Sequence, residues 1–288
     1  MSDTRVAWSV RGLAVAALAL LAPEAQAQWS LGADVQSASR YMWRGITRSQ
    51  VWVLQPALSG TMPLARCRER PEPCWSVSSG AWANAQMEGA WPDELGDLAV
   101  RKRGFSEVDL WAEGAVRSEG LEVAAGGVRY LYPASDPGAL WTQAGNTTEL
   151  YARVRLPRFP WVKPSVVAWL DVDHVKGAYV EASVIGGLKL VPMLVETNLD
   201  VGATAGVNLG QERNLALPQL IRSKRLGLTY LELVLGPSGR VGPFRFTLDL
   251  HSQWGFDDLT RLASRTGDAT RFFTWFTASV GYTWEPRP

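Results

Sequence analysis

Apolar and polar residues alternate with a period of two along most of this chain. In "TNLDVGATAGVNL", Leu199, Val201, Ala203, Ala205, Val207 and Leu209 alternate with Asn198, Asp200, Gly202, Thr204, Gly206 and Asn208. Successive strand side chains point to opposite faces, so this spacing predicts a strand with one face in an apolar medium. The pattern recurs with Val108, Leu110, Ala112 and Val116 against Glu107, Asp109 and Glu113, and with Leu150, Ala152, Val154 and Leu156 against Glu149, Tyr151, Arg153 and Arg155. It recurs again with Phe244, Phe246, Leu248 and Leu250 against Arg245, Asp249 and His251. About twelve such segments are predicted, an even number as expected of a single-chain barrel. They lie near 29–38, 51–63, 75–87, 106–117, 121–132, 147–157, 162–173, 178–191, 193–209, 226–236, 241–253 and 272–284. Most are close to the roughly 10 residues that a tilted membrane strand requires. No amphipathic helix is predicted between them.

The connections separate a membrane barrel from a soluble sandwich. Longer ones at 39–50, 88–105, 133–146, 210–225 and 254–271 alternate with short ones at "RSEG", "PRFP", "VPM" and "GPSG"; "DHVKG" alone is too short for its side. Short turns at one end and long loops at the other are what a barrel with periplasmic turns and extracellular loops produces. Trp29, Trp75, Trp161 and Trp284 fall at the short-turn ends of strands, and Trp43, Trp91, Trp141 and Trp254 in or beside the long loops. Two aromatic belts at two membrane interfaces are the expected cause. The predicted fold is therefore all-β, a closed antiparallel transmembrane barrel with both termini on the periplasmic side. The closing strand carries Phe272, Phe276, Ala278, Val280, Tyr282 and Trp284 on one face, with "EPRP" following it.

The N-terminal segment has Arg5 and Arg11, the apolar run "LAVAALALLA", Pro23 and the small-residue site Ala25-Gln26-Ala27. This is the layout of a secretory signal peptide, so residues 1–27 are expected to be cleaved and 28–288 to form one barrel domain. A formal net charge of +1 argues against a nucleic-acid partner, since phosphate-binding domains carry a clear excess of Lys and Arg. Cys67 and Cys74 in "CRERPEPC" are expected to form a disulfide in an oxidising compartment. No metal site and no cofactor are expected, because His174 and His251 are the only histidines available beside those cysteines.

"SRYMWRGITRSQ" at 39–50 packs Arg40, Tyr41, Trp43, Arg44, Gly45 and Arg48 between the first two predicted strands. Its residues suggest a hairpin held at the membrane interface, with Gly45 permitting a tight turn; a rim that contacts solute or lipid phosphate is the alternative. The segment resembles the Ser-x-Tyr-x-Phe/Trp-Arg-Gly-Ile-Ser/Thr stretch of the TorF-type porin family of Gram-negative bacteria. "GAWANAQ", "EVDLWAEGAVRSEGLEVAAGGVRYLYP" and "TTELYARV" are similar to later parts of the same pattern. The resemblance covers about the first half of residues 28–288; the cysteine-bearing turn and the 88–105 loop depart from it. It implies an outer-membrane barrel called a porin chiefly by architecture, and supplies no catalytic residues.

By alternation the inward face carries Asp34, Glu107, Asp109, Glu113, Glu149, Asp171, Asp173, Glu181, Glu196, Asp200, Glu232 and Asp249 against Arg153, Arg155, Lys189 and Arg245. Such a face makes either a polar plug of paired side chains or a narrow aqueous path with a cation-favouring field. The long loops are basic, with Arg101, Lys102, Arg103, Arg222, Lys224, Arg225, Arg261, Arg265 and Arg271. They suit lipopolysaccharide phosphates, so a surface-binding barrel without transport competes with a channel for small solutes or ions. An outer-membrane lipid hydrolase is a third class. His251 and Ser252 are adjacent in a strand and point to opposite faces, and HExxH, GxxxxGK[ST] and GxSxG are all absent, so no enzyme is expected.

Overall fold

The computed structural model describes residues 29–49, 51–64, 73–87, 104–132, 146–157, 161–173, 177–190, 196–211, 226–256 and 272–285. Twelve of its strands close a barrel: β1 (Ser30–Ala38), β4 (Val53–Pro63), β5 (Cys74–Gln86), β6 (Gly104–Ser118), β7 (Leu121–Leu131), β8 (Thr147–Arg155), β9 (Val162–Asp171), β10 (Gly177–Lys189), β11 (Glu196–Leu209), β12 (Leu226–Val241), β13 (Phe244–Gly255) and β14 (Phe272–Trp284). Each pairs antiparallel with its chain neighbour. The first and last close the ring, with Leu31 opposite Trp284 and Ala38 opposite Thr277. A closed ring leaves no strand edge unpaired, which a barrel needs if its outside faces hydrocarbon.

The period-two pattern sets which side chains face out. Leu58, Leu110, Leu150, Val166, Val201, Leu235, Leu248, Phe276 and Val280 are all exposed on the outer surface. The alternate positions turn inward, and they are where the buried polar residues lie, among them Gln55, Asn84, Glu107, Glu149, Asp171 and Gln253. This inverts a soluble protein, whose apolar side chains face the core. At the short-turn end Trp29, Trp75, Trp161 and Trp284 are exposed, forming the expected belt. At the other end Trp254 packs on Phe272 with ring centroids 5.0 Å apart. Trp91 and Trp141 lie outside the described residues, as do the expected signal peptide, Cys67, His174 and the basic loop residues. Cys74 is the first residue of β5.

Two expectations are corrected. "GPSG" is not a turn: β12 continues through it to Val241, and the chain reverses at Gly242-Pro243, where Gly242 has φ 58°. Pro237 has no N–H to give the ladder, and the β12–β13 register skips from Leu235↔Leu250 to Ser238↔Thr247. That local gap imitates a strand end in the sequence. Second, the hairpin expected within 39–50 forms, but it is not held at the interface: β2 (Tyr41–Trp43) and β3 (Ile46–Ser49) make a separate two-stranded sheet that folds into the barrel. Trp43, expected in an aromatic belt, goes inward with it.

Replacing Val201 or Leu248 with Arg is expected to cost about 2 to 4 kcal/mol of stability in a bilayer if the site lies near mid-depth, since the charge would face hydrocarbon. Arg at the inward Asn198 or Thr247 is expected to cost less. Urea unfolding in lipid vesicles measures all four; equal losses would mean that the faces are wrongly assigned.

Candidate functional site

The β2–β3 hairpin turns on Arg44 and Gly45, with φ 49° and 78°. Two positive φ values in a two-residue connection are the signature of a type I′ turn, whose twist matches that of the flanking strands. Gly45 meets this demand freely, and a Cβ there would also lie 2.5 Å from the Tyr230 ring. Arg44 does not: a side chain in the left-handed region costs roughly 1 to 2 kcal/mol. Surrounding contacts must hold it there.

Those contacts come from the barrel wall. The Arg44 guanidinium donates to both carboxylate oxygens of Glu149, at 2.7 Å for Nη1 to Oε1. Glu149 also accepts from Tyr130 Oη at 2.8 Å and Gln211 Nε2 at 3.1 Å. The guanidinium carbon lies 4.6 Å from the Trp43 ring centre, 4.8 Å from that of Trp169 and 5.0 Å from that of Tyr179. Burial works against the Arg44 charge, and the Glu149 carboxylate more than restores it, so the Arg44 pKa stands above the ordinary arginine value. The pair is almost wholly out of water, with side-chain exposures of 4% and 1%.

Further contacts carry the hairpin across the whole lumen. Gln253 on β13 donates to the Gly45 carbonyl at 2.8 Å, on the wall nearly opposite Glu149 on β8. Tyr41 donates to Glu107 at 3.0 Å, and Arg48 donates to Tyr132 Oη at 2.9 Å. Met42 packs on Phe273 and Trp275, and Tyr41 on Trp82 at 5.6 Å between centroids. Arg40 lies over the Phe273 ring at 5.2 Å. Arg40, Tyr41, Trp43, Arg44 and Gly45, expected at a rim, thus occupy the half of the lumen nearer the long loops.

Charge explains why they stay. In that half the wall contributes Glu107, Asp109, Glu149, Asp171, Glu181 and Glu232; among the described residues it contributes no Lys or Arg pointing inward there. The cations come from the hairpin as Arg44 and Arg48. The half nearer the short turns is mixed instead. Glu113 accepts from Tyr151 at 2.9 Å and from Arg153 at 2.7 Å, while Glu122 accepts from Arg117, Arg153 and Arg155. Arg245 approaches Asp200 at 3.9 Å and is 63% exposed, so water reaches this half.

Asp34, Asp249 and Glu196 also share the inward face of their strands, Glu196 at the very start of β11. Asp173 lies beyond the end of β9, where it pairs with Arg129 at 2.7 Å instead of lining the lumen. The charged alternation did not flag Tyr130, Trp169, Tyr179, Tyr230, Gln211 or Gln253, which shape the site. Trp169 shares a face with Asp171, two positions on, and that spacing was the available signal.

His251 makes a second polar group. Its Nδ1 lies 2.9 Å from Glu232 Oε1 and its Nε2 lies 3.0 Å from Thr277 Oγ1. Trp275 stacks on the imidazole at 4.7 Å and Thr277 is buried. Ser252 points to the opposite face of β13.

No family model and no curated protein matches the chain. Among solved structures, LpxR from Salmonella typhimurium is similar at 11% identity and a TM-score of 0.45, covering 88% of this chain and 99% of that one. An outer-membrane channel from Pseudomonas putida F1 is similar at 10% identity and TM-score 0.47, with 90% and 95% covered. Outer membrane phospholipase A from Escherichia coli is similar at 14% identity and TM-score 0.44, with 88% and 92% covered. These are likenesses only, and neither a residue role nor a cellular location is carried over from them. The fold defines the chain as a closed twelve-stranded antiparallel barrel with an infolded first connection.

Removing Glu149 as alanine would leave the Arg44 cation buried without its counter-charge, at a cost of about 3 to 5 kcal/mol. Amides of 41–49 are expected to lose exchange protection in the Glu149→Ala protein while β11–β13 amides keep theirs. Equal protection in both proteins would mean that the pair does not hold the hairpin.

Proposed function

We propose that this chain is an outer-membrane porin-type barrel giving small solutes and ions a passage that its first connection narrows at the extracellular end. The observation that carries the reading is the hairpin inside the mouth: its arginines face a wall of carboxylates, while the other half of the lumen stays wet. The ends with long loops are then extracellular and those with short turns periplasmic, as in barrels of this class. A twelve-stranded barrel lies between those filled by side chains and those left open, so an inserted hairpin decides how much passes. The inward carboxylates give a cation-favouring field, opposed by the hairpin arginines and weakened by salt. Lipid and lipopolysaccharide are the proposed surroundings of the outer face and loops. The reading is not enzymatic.

A lipid hydrolase is a second reading, favoured by the carboxylate–imidazole–hydroxyl order of Glu232, His251 and Thr277. Against it, Trp275 covers the imidazole and Thr277 faces the lumen, away from acyl chains. Ester hydrolysis by purified protein that disappears in Thr277→Val would establish it.

Single-channel recording in planar bilayers tests the main reading. The full chain is expected to conduct weakly. Replacing residues 41–49 by a short Gly-Ser link should raise conductance several-fold and shift the reversal potential in a potassium chloride gradient toward the cation value, because wall carboxylates lose Arg44 and Arg48. Anion selectivity in that variant, or no conductance in either protein, would overturn the proposal; the latter outcome favours a surface-binding barrel without transport.

A further inference from the structure

The surroundings of Arg44 have the composition of a ligand site. A flat guanidinium is gripped edge-on by a carboxylate through two parallel hydrogen bonds and covered by three aromatic rings. Bidentate pairing and stacking of this kind distinguish guanidinium from ammonium, whose charge is a point and whose donors are not planar. All of the box except Trp43 lies outside the hairpin: Glu149, Tyr130, Trp169 and Tyr179 on the wall strands, and Gln211 two residues past the end of β11. Only the occupant and one ring arrive on the hairpin.

Three observations point beyond a structural ion pair. Arg44 sits at a backbone conformation that side chains avoid, so the hairpin is held in the box against local strain, as occurs at clamps and switches. The amide of Gln211 gives its N–H to Glu149, yet its Oε1 has no partner although the residue is fully buried. The Trp169 Nε1 is a buried donor that also has none. A donor and an acceptor are thus left over in a box whose present tenant, tethered by its own backbone, does not reach them. Buried polar groups in this state have a cost that a better-fitting occupant would remove.

We propose that the box of Glu149, Tyr130, Trp169, Tyr179 and Gln211 is a binding site for small solutes bearing a guanidinium group, and that Arg44 is a tethered competitor which such a solute displaces from it. The inference rests on reading the lumen as a passage, and it names the solute class. Displacement lets the hairpin withdraw and opens the constriction to the molecule that displaced it. A tether of this length gives Arg44 an effective concentration on the order of millimolar, so only a solute at comparable strength competes.

Nuclear magnetic resonance of the full chain in micelles, labelled with 15N-tryptophan, tests the site without requiring conduction. The Trp169 indole signal is identified through Trp169→Phe, and methylguanidinium is the probe. In Arg44→Ala the signal should shift saturably. Adding Glu149→Gln should weaken that binding at least about tenfold, and the wild-type chain should need a clearly higher probe concentration than Arg44→Ala. Urea, the neutral isostere, should shift nothing. If Arg44→Ala does not fold, Arg44→Met keeps the side-chain volume without the charge and takes its place. No saturable shift in a folded charge-free variant, an equal response to urea, or equal affinity with and without Arg44 would overturn the proposal. Bilayer recording separates this from the passage reading. Saturable binding in a protein that conducts nothing would sustain the site and end the passage, whereas conduction without binding would sustain the passage and end the site.

Discussion

Almost everything in the half of this barrel nearer the long loops depends on one buried charge pair. A guanidinium and a carboxylate taken out of water lose solvation that their mutual attraction only just restores, so an isolated pair of this kind adds little stability. What it adds is position. Among the described residues Glu149 has no inward Lys or Arg on the wall near it, and Arg44 has no carboxylate within its own hairpin. Each is satisfied only when the hairpin lies across the lumen, with two oxygens of Glu149 against two nitrogens of Arg44. The three aromatic rings around the guanidinium exclude the water that would otherwise compete.

The barrel makes this possible through a division between its two faces. The outer surface is apolar and nearly uniform, so it sets the fold and carries little information. The inner surface is polar and is split along the axis. Near the short turns, Glu113 and Glu122 are paired with Arg117, Arg153 and Arg155 on neighbouring strands β6 to β8, so that wall carries its own counter-charges. Near the long loops the charged wall residues among those described are all acidic, and they need cations from elsewhere. The first connection supplies them, and its β2–β3 turn places Arg44 at the far reach of the hairpin.

Much of the barrel was legible in the sequence because strand alternation is a local property. "TNLDVGATAGVNL" predicts the faces of β11, and the inward positions read from it hold in the structure from Asn198 to Asn208. Errors arose where a local signal had two meanings. Gly and Pro in "GPSG" mark a turn in most contexts, yet here Pro237 faces outward within β12. Arg-Gly in "WRGI" correctly marks a tight turn, but whether a hairpin lies on the rim or folds inside is decided by residues more than a hundred positions away, at Glu149 and Gln253. Alternation read through charge alone does not single out Tyr130, Trp169 and Tyr179, although they form walls of the box. Asp173 continues the alternation of β9 in sequence, but the strand ends at Asp171, so its side chain lies past the lumen wall.

The account stands on the hairpin being inside the mouth, and a cross-link reads that directly. Met42 on β2 packs against the cluster of Phe273 and Trp275 on β14. In a chain with Cys67 and Cys74 replaced by serine, cysteines placed at 42 and 275 are expected to join rapidly under mild oxidation in native membranes, and the single cysteine at 42 to react slowly with a water-soluble maleimide added from outside. No cross-link, together with immediate labelling at 42, would place the hairpin in solvent and contradict the account.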